Sequence, residues 1–176
     1  QAILDQVLLI LKNDPHVLGL VFAGSYARGE HDAFSDLDVA CYLRDEARTG
    51  RQDLYERVAE IAPTLWYLWI YDKNALYLFE NGVRLDLDFY KPSDLAHQSE
   101  VYTNTVIEYD PDGILQKSIS KSNVLQPAEH PKWFKPGDPA MIDWYFWMFR
   151  QVVCWAKRGA QGDYRSYDKL TNAINS

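Results

Sequence analysis

The sequence predicts an α+β fold, in which helices flank a mixed β-sheet and a helical extension follows at the C-terminal end. Short apolar runs with strand character alternate with helical patterns along the first 120 residues, as expected where helices pack on a sheet. Within this part, Asn81-Gly82 is the strongest short signal for an antiparallel hairpin. Prolines recur between residues 121 and 139 and indicate a linker. We therefore expect a sheet domain at 1–120, a linker at 121–139 and a helical extension at 140–176.

The first elements of the sheet domain are predicted to be a helix and two strands. Apolar residues at helical spacing predict a helix at 2–12, and an apolar run predicts a strand at 17–23. Gly24 ends this strand, and Ser25 is expected to cap the turn that follows. After a polar loop, strand character returns at 36–43. We expect the two strands to meet at the Gly24-Ser25 turn.

The remaining elements of the domain are predicted to be a surface helix and four strands. Apolar and charged residues alternate with a period of about 3.6 residues over 51–62, which predicts an amphipathic helix. Strand character returns in four segments, at 65–71, 75–80, 83–90 and 105–109. The two segments that flank Asn81-Gly82 should pair antiparallel. Turn residues follow the last strand, in the sequence Asp110-Pro-Asp-Gly113.

The C-terminal extension is predicted to contain two helices. Pro139 opens the first helix, which runs to Arg158 and ends at the glycines that follow. The second helix begins near Asp163 or Tyr164, and its pattern shows no stop signal before Ser176. We therefore expect the natural chain to continue beyond that residue.

Composition and charge narrow the classes of function. The chain is 47% hydrophobic and 24% charged, and none of its apolar runs reaches the roughly 18 to 20 residues that span a bilayer. The net charge of −7 disfavours binding to nucleic acid and suits a cationic partner. Cys41 and Cys154 lack the spacing of a zinc site or a disulfide framework. These features predict a cytoplasmic protein with buried free thiols and without a membrane or nucleic-acid partner.

Two aspartates form the first candidate metal site. Asp36 and Asp38 lie two positions apart at the start of a predicted strand, so their side chains should share a face. Close carboxylates repel each other unless a cation lies between them. Magnesium prefers hard oxygen ligands and keeps positions free for water and phosphate, so the pair suits Mg²⁺ better than zinc or copper. The four histidines have no metal-site spacing and are predicted to be solvated loop residues.

The turn before this strand is a candidate anion site. Gly24 lets the backbone approach a bound group closely, and the amides that follow can point at an anion. The hydroxyl of Ser25 adds a polar group to that turn. Arg28 is one helical turn further on and is a candidate phosphate contact. An exposed arginine in a polar loop is the alternative explanation for Arg28.

A third carboxylate is available on the strand predicted at 83–90. Asp86 and Asp88 should face one side of this strand, while the residues between and around them are apolar. An amphipathic strand with a solvated acidic face is the structural alternative. Together with Gly24-Ser25 and the Asp36–Asp38 pair, however, a further metal ligand is favoured. The spacing alone leaves both Asp86 and Asp88 open.

The ordered set of motifs resembles the DNA polymerase beta nucleotidyltransferase superfamily. The segment GSYARGEHDAFSDLDV, with Gly-Ser, a spacer of ten residues and Asp-x-Asp, carries the most specific part of the resemblance. The segments FENGVRLDLDFY and WYFWMFRQVVCWAKRG are similar to bacterial aminoglycoside and lincosamide nucleotidyltransferases. The resemblance implies the nucleotidyltransferase fold, with Asp36, Asp38 and Asp86 as catalytic residues and metal ligands. It favours Asp86 over Asp88 as the third carboxylate. In such a fold the anion site predicted at Gly24, Ser25 and Arg28 would receive the nucleotide.

The resemblance also implies an activity. An acceptor hydroxyl would attack the α-phosphorus of ATP and receive AMP, with two Mg²⁺ ions bound during turnover. The acceptor would be a small molecule, with a cationic antibiotic of the aminoglycoside or lincosamide kind as one candidate. Two alternatives remain open. One is a minimal nucleotidyltransferase of the antitoxin type that modifies a protein hydroxyl, and the other is an inactive module that only binds nucleotide.

Overall fold

The computed structural model of the chain describes residues 2–44, 52–70, 74–91, 105–119, 149, 151–158 and 160. The chain forms two compact units, Gln1–Glu129 and His130–Ser176. In the second unit the described residues are helical. The predicted second helix and the predicted linker lie outside the described residues.

The described part of the first unit contains six strands and four helices. The helices are α1 (Ala2–Lys12), α2 (Gly24–Ala27), α3 (Gln52–Ala59) and α4 (Ile114–Ile119). The strands are β1 (Val17–Phe22), β2 (Leu37–Leu43), β3 (Thr64–Ile70), β4 (Asn74–Phe79), β5 (Arg84–Tyr90) and β6 (Val106–Tyr109). Most predicted elements are therefore confirmed to within a few residues at their ends.

The six strands form one mixed sheet, which confirms the predicted α+β class. Their order across the sheet is β3-β4-β5-β2-β1-β6. Strands β2 and β5 pair in parallel, whereas the other neighbouring strands pair antiparallel. The parallel pair lies at the centre of the sheet, and it brings together two strands that are far apart in the sequence.

Helices α1 and α3 pack on one face of the sheet and form the main core. Apolar residues at helical spacing on α1, including Val7 and Leu11, are fully buried there. From β5, alternate residues enter the same core, namely Leu85, Leu87 and Phe89. Each such side chain contributes about 1.5–3 kcal/mol through burial. The opposite face of β5 is therefore left for its polar residues.

The hairpin between β4 and β5 has the predicted turn. The amide of Gly82 donates to the carbonyl of Phe79 at 2.8 Å, and the amide of Val83 donates to the side chain of Asn81 at 3.1 Å. Gly82 has a φ of +83°, a conformation that glycine adopts without a steric cost. The strands pair antiparallel, as expected.

A short helix that was not predicted from the sequence covers part of the second face of the sheet. The carboxylate of Asp110 accepts hydrogen bonds from the amides of Leu115, at 3.2 Å, and Gln116, at 2.9 Å. These bonds satisfy amides at the start of α4. Leu115 is fully buried against Val21, Ala40 and Tyr42. The predicted turn residues therefore also begin a helix, which is too short to give a clear periodic signal.

One predicted cap is wrong. Helix α2 begins at Gly24, and its N-cap residue is Ala23, with no side-chain capping bond. Ser25 consequently lies inside the first turn of α2 instead of capping it.

Among the helices in the described part of the chain, none has the length and apolar character needed to cross a bilayer.

Candidate active site

Three aspartates come together where β2 and β5 begin. The parallel register pairs Asp38 of β2 with Asp86 of β5, and Asp36 immediately precedes β2. Each of the three offers a carboxylate oxygen, and these oxygens all lie within 4.8 Å of one another. Like charges at this separation are unfavourable without a cation. The arrangement therefore has the character of a cation site.

Arg84 joins two of these carboxylates. Its Nε donates to Oδ1 of Asp86 at 3.1 Å, and its Nη2 donates to Oδ2 of Asp86 at 2.9 Å. The same Nη2 also donates to Oδ2 of Asp36. Arg84 is only 2% exposed, so this pairing takes place in a region of low dielectric constant. Burial disfavours the charged guanidinium, but the carboxylates of Asp86, Asp36 and Asp38 outweigh it and raise the pKa of Arg84.

The carboxylates of Asp38 and Asp86 titrate far from their ordinary range. Burial, together with the charges of Asp36 and Asp86, raises the pKa of Asp38 from 3.8 to about 8. Burial also raises the pKa of Asp86 to about 6, although the Arg84 guanidinium opposes this shift. Without a metal ion, burial and the neighbouring charges therefore favour the protonated form of Asp38. A divalent cation would favour the charged carboxylate and release that proton.

The donor set fits magnesium. Three carboxylates offer only hard oxygen ligands, and three protein ligands leave positions for water or phosphate. The backbone also approaches one of these carboxylates closely. Gly24 has a φ of +62°, and a side-chain carbon at this position would overlap Oδ2 of Asp38. The absence of a side chain at Gly24 lets the Asp38 carboxylate lie against α2.

The other predicted binding residues lie on and after α2. Gly24 and Ser25 form the start of this helix, and the carbonyl of Ser25 accepts a bond from the amide of Glu30 at 2.9 Å. Arg28 is exposed, and its Nε bonds Oε2 of Glu30 at 2.9 Å. Gly24 thus lies against Asp38 and Ser25 is the next residue of α2, whereas Arg28 extends from the surface in an ion pair.

Asp88 is placed differently from Asp86. Its Oδ1 accepts a hydrogen bond of 2.6 Å from Nδ2 of Asn74, its neighbour on β4. Within the described residues, the carboxylates close enough to share an ion are those of Asp36, Asp38 and Asp86. This geometry supports Asp86 as the third ligand. Asp88 still acts at a distance, because its charge raises the pKa values of both Asp38 and Asp86.

A cleft of about 390 Å³ includes Asp36 in its lining, together with residues of α1 and of the loop before β2. Its wall contains an aromatic pair, since the rings of Tyr26 and His31 stack with centroids 4.8 Å apart. Apolar residues such as Ile3 and Val83, and polar residues such as Asp32 and Asn81, also line it. The volume falls in the range of about 300–1,000 Å³ typical of small-molecule sites. A bound molecule here would lie next to a candidate metal ligand.

The structure places two residues in this region that were not singled out from the sequence. Arg84 begins a strand that borders a turn, a setting in which an arginine is usually solvated. His31, which was expected to be a solvated loop residue, is exposed but also stacks on Tyr26. The alternation of Arg84 with Asp86 along β5 was the one available signal, because alternate strand residues share a face.

Comparison with known protein families gives an independent result. Residues 4–107, more than half of the chain, match the family model described as a nucleotidyltransferase domain. The match extends from α1 into β6, and so includes Gly24, Ser25 and the three aspartates. It confirms the resemblance at the level of the superfamily. No curated protein gives a significant match. Because the family model covers more than half of the chain, the chain belongs to the nucleotidyltransferase domain family.

Proposed function

We propose that the protein transfers AMP from ATP to a hydroxyl group of a small molecule. The observation that carries this proposal is the cluster of Asp36, Asp38 and Asp86, whose oxygens lie within 4.8 Å of one another beside the start of α2. Phosphoryl chemistry of this kind depends mainly on positioning and charge stabilisation. A compact group of carboxylates next to a glycine turn suits both requirements.

Asp36, Asp38 and Asp86 would hold magnesium. When bound, two Mg²⁺ ions would lower the pKa of the acceptor hydroxyl and stabilise the charge on the triphosphate and on the departing pyrophosphate. Asp36 and Asp38 act only as metal ligands in this scheme. Asp86 is also the residue that we assign to accept the hydroxyl proton. A bound cation would favour the ionised form of Asp86, which is the form that can accept a proton.

The reaction balances as a single displacement. The acceptor oxygen forms a bond to the α-phosphorus of ATP, and the bond between that phosphorus and the bridging oxygen of pyrophosphate breaks. The hydroxyl proton passes to Asp86 and then to solvent. The products are the adenylylated acceptor and pyrophosphate. We propose ATP as the donor nucleotide. We also propose that the protein acts in the cytoplasm, where ATP is abundant.

The triphosphate would bind at the start of α2. Gly24 allows a close approach of the backbone, and the hydroxyl of Ser25, one residue later, is a candidate donor to a phosphate oxygen. We also propose that Arg28 contacts phosphate. This role requires its guanidinium to leave Glu30, an exposed ion pair of the kind that is worth only about 0–1 kcal/mol.

The acceptor would bind in the cleft that Tyr26, His31 and Asp36 line. The cleft suits a small molecule better than a protein segment, because it is concave and limited in volume. Its carboxylates and the net charge of −7 favour a cationic acceptor, such as an aminoglycoside-like or lincosamide-like antibiotic. A protein hydroxyl is the alternative acceptor. A purely nucleotide-binding module is disfavoured by the intact group of carboxylates.

Thermal stability measured with ATP, with Mg²⁺ and with both would test the nucleotide site directly, because ligands that bind the native state raise its melting temperature. We expect the largest shift with both ligands, and expect the D36N/D38N double variant to lose it. A panel of aminoglycosides and lincosamides, assayed with α-labelled ATP, would then identify the acceptor class. Absence of any shift in the intact protein would contradict the proposal.

A further inference from the structure

We propose that Arg84 is a built-in counter-ion, which holds Asp36 and Asp86 together before metal binds and limits the nucleotide-free site to one divalent ion. In this role Arg84 is a positioning residue, because it acts through the two carboxylates. The inference rests on the metal role proposed above for the aspartates. Its test measures metal binding and does not depend on transfer of AMP.

Arg84 contacts carboxylates from two separate segments of the chain. Arg84 and Asp86 alternate on β5, so the guanidinium folds along its own strand to form two bonds with Asp86, of 3.1 and 2.9 Å. The same guanidinium reaches across to Asp36 at the entrance of β2. The backbone of Arg84 is fixed by pairing with Leu78 of β4. One buried cation therefore links the carboxylates that enter from two strands.

Charge balance gives this link a consequence for metal binding. Asp36, Asp38 and Asp86, when ionised, carry three negative charges, and Arg84 supplies one positive charge. The net charge of the group is then −2, which a single divalent ion neutralises. A second ion would be repelled by both the first ion and Arg84 until a triphosphate supplies more negative charge. In this scheme the second ion enters with the nucleotide.

The chemistry of arginine suits this position better than that of lysine. The planar guanidinium donates in parallel to both oxygens of one carboxylate and still has donors for another. A lysine ammonium is a compact and strongly hydrated charge, so it would keep the charge but lose the paired geometry with Asp86. Replacement by methionine removes the charge at similar length. The two substitutions thus separate charge from geometry.

The experiment is a titration of nucleotide-free protein with Mn²⁺, in which electron paramagnetic resonance measures the concentration of free ion at each step. We expect one Mn²⁺ per wild-type chain. In R84M we expect a second ion to bind, or the first to bind at least about tenfold more tightly, because a nearby positive charge is gone. R84K should keep the wild-type stoichiometry. The control R57M removes an arginine whose partner is Asp14, 3.5 Å away, and should bind Mn²⁺ as the wild type does.

The outcomes of the Mn²⁺ titration distinguish failure of the inference about Arg84 from failure of the proposed function. If R84M binds Mn²⁺ with unchanged stoichiometry and affinity, or more weakly, the inference about Arg84 is wrong although the metal site stands. If R84M does not fold, R84K decides, and two ions bound to R84K without nucleotide would overturn the inference. If the wild type binds no Mn²⁺ even with ATP, both the counter-ion role and the proposed function fail.

Discussion

Gly24 lies directly against the carboxylate of Asp38. A side-chain carbon at position 24 would overlap Oδ2 of Asp38, and the φ of Gly24 is +62°. The backbones of the two segments are also joined, because the amide of Ala23 donates to the carbonyl of Asp38 at 3.0 Å. The position of this carboxylate is therefore inseparable from the absence of a side chain at Gly24.

The substitution G24A should displace Asp38 from the cluster. We expect a loss of about 1–2 kcal/mol in the free energy of unfolding from the positive φ alone, and loss of the Mg²⁺-dependent rise in melting temperature. Gly29 provides a matched control, since its φ is +68° and no atom lies within 4 Å of a side-chain carbon there. G29A should show similar strain but a normal response to Mg²⁺. An equal Mg²⁺ response in both variants would contradict the role of Gly24.

Asp86 and Asp88 should differ sharply when each is replaced by asparagine. D86N removes a candidate metal ligand, so we expect AMP transfer to fall at least about a hundredfold while binding of ATP persists. D88N leaves the cluster of three carboxylates intact, and we expect less than about a tenfold loss. Rates of pyrophosphate release, together with ATP binding by calorimetry, would measure both. A larger defect in D88N than in D86N would reverse the assignment.

The metal-free protein should lose stability as pH rises. Because the pKa of Asp86 is raised to about 6 and that of Asp38 to about 8, the native state binds more protons than the unfolded chain between about pH 4 and pH 8. The raised pKa values of Asp86 and Asp38 contribute to the free energy of unfolding. This contribution is fully present below about pH 4 and disappears as pH rises past each native pKa. The free energy of unfolding should therefore fall across this window.

Denaturant melts in the presence of a chelator, at intervals from about pH 5 to pH 9, would measure this trend. D38N lacks the group with the higher pKa, so its stability should fall less steeply between about pH 6 and pH 8. Saturating Mg²⁺ should reduce the slope in the wild type, because the metal favours the ionised carboxylates. A wild-type slope equal to that of D38N would contradict the shift at Asp38.

His31 should affect the acceptor and not the nucleotide. We expect H31A to raise the KM for the acceptor about two- to tenfold, the range for loss of one aromatic contact, with an unchanged KM for ATP. His16 is an exposed histidine outside the lining of the cleft, so H16A serves as the matched control. Steady-state rates with each substrate varied would show the difference. A rise in the KM for ATP alone would place the nucleotide in the cleft.

The local pattern of residues was sufficient to predict most elements of the fold. The alternation around Leu87 and Asp86 predicted one buried and one polar face on β5, because neighbouring side chains of a strand point to opposite sides. Asn81-Gly82 predicted the hairpin for an equally local reason, since glycine tolerates the positive φ of its turn. Asp36 and Asp38 were identified as candidate metal ligands for the same reason, from their spacing of two.

Only the tertiary structure decided which strands lie side by side. The parallel pairing of β2 with β5 places Asp38 opposite Asp86, and such a register depends on packing between distant segments. The burial of Arg84 follows from this pairing, because it brings Asp36 within reach and closes the site around the guanidinium. The sequence by itself determined the strands, the hairpin and the candidate carboxylates. Long-range packing determined that these carboxylates meet, and that an arginine lies between them.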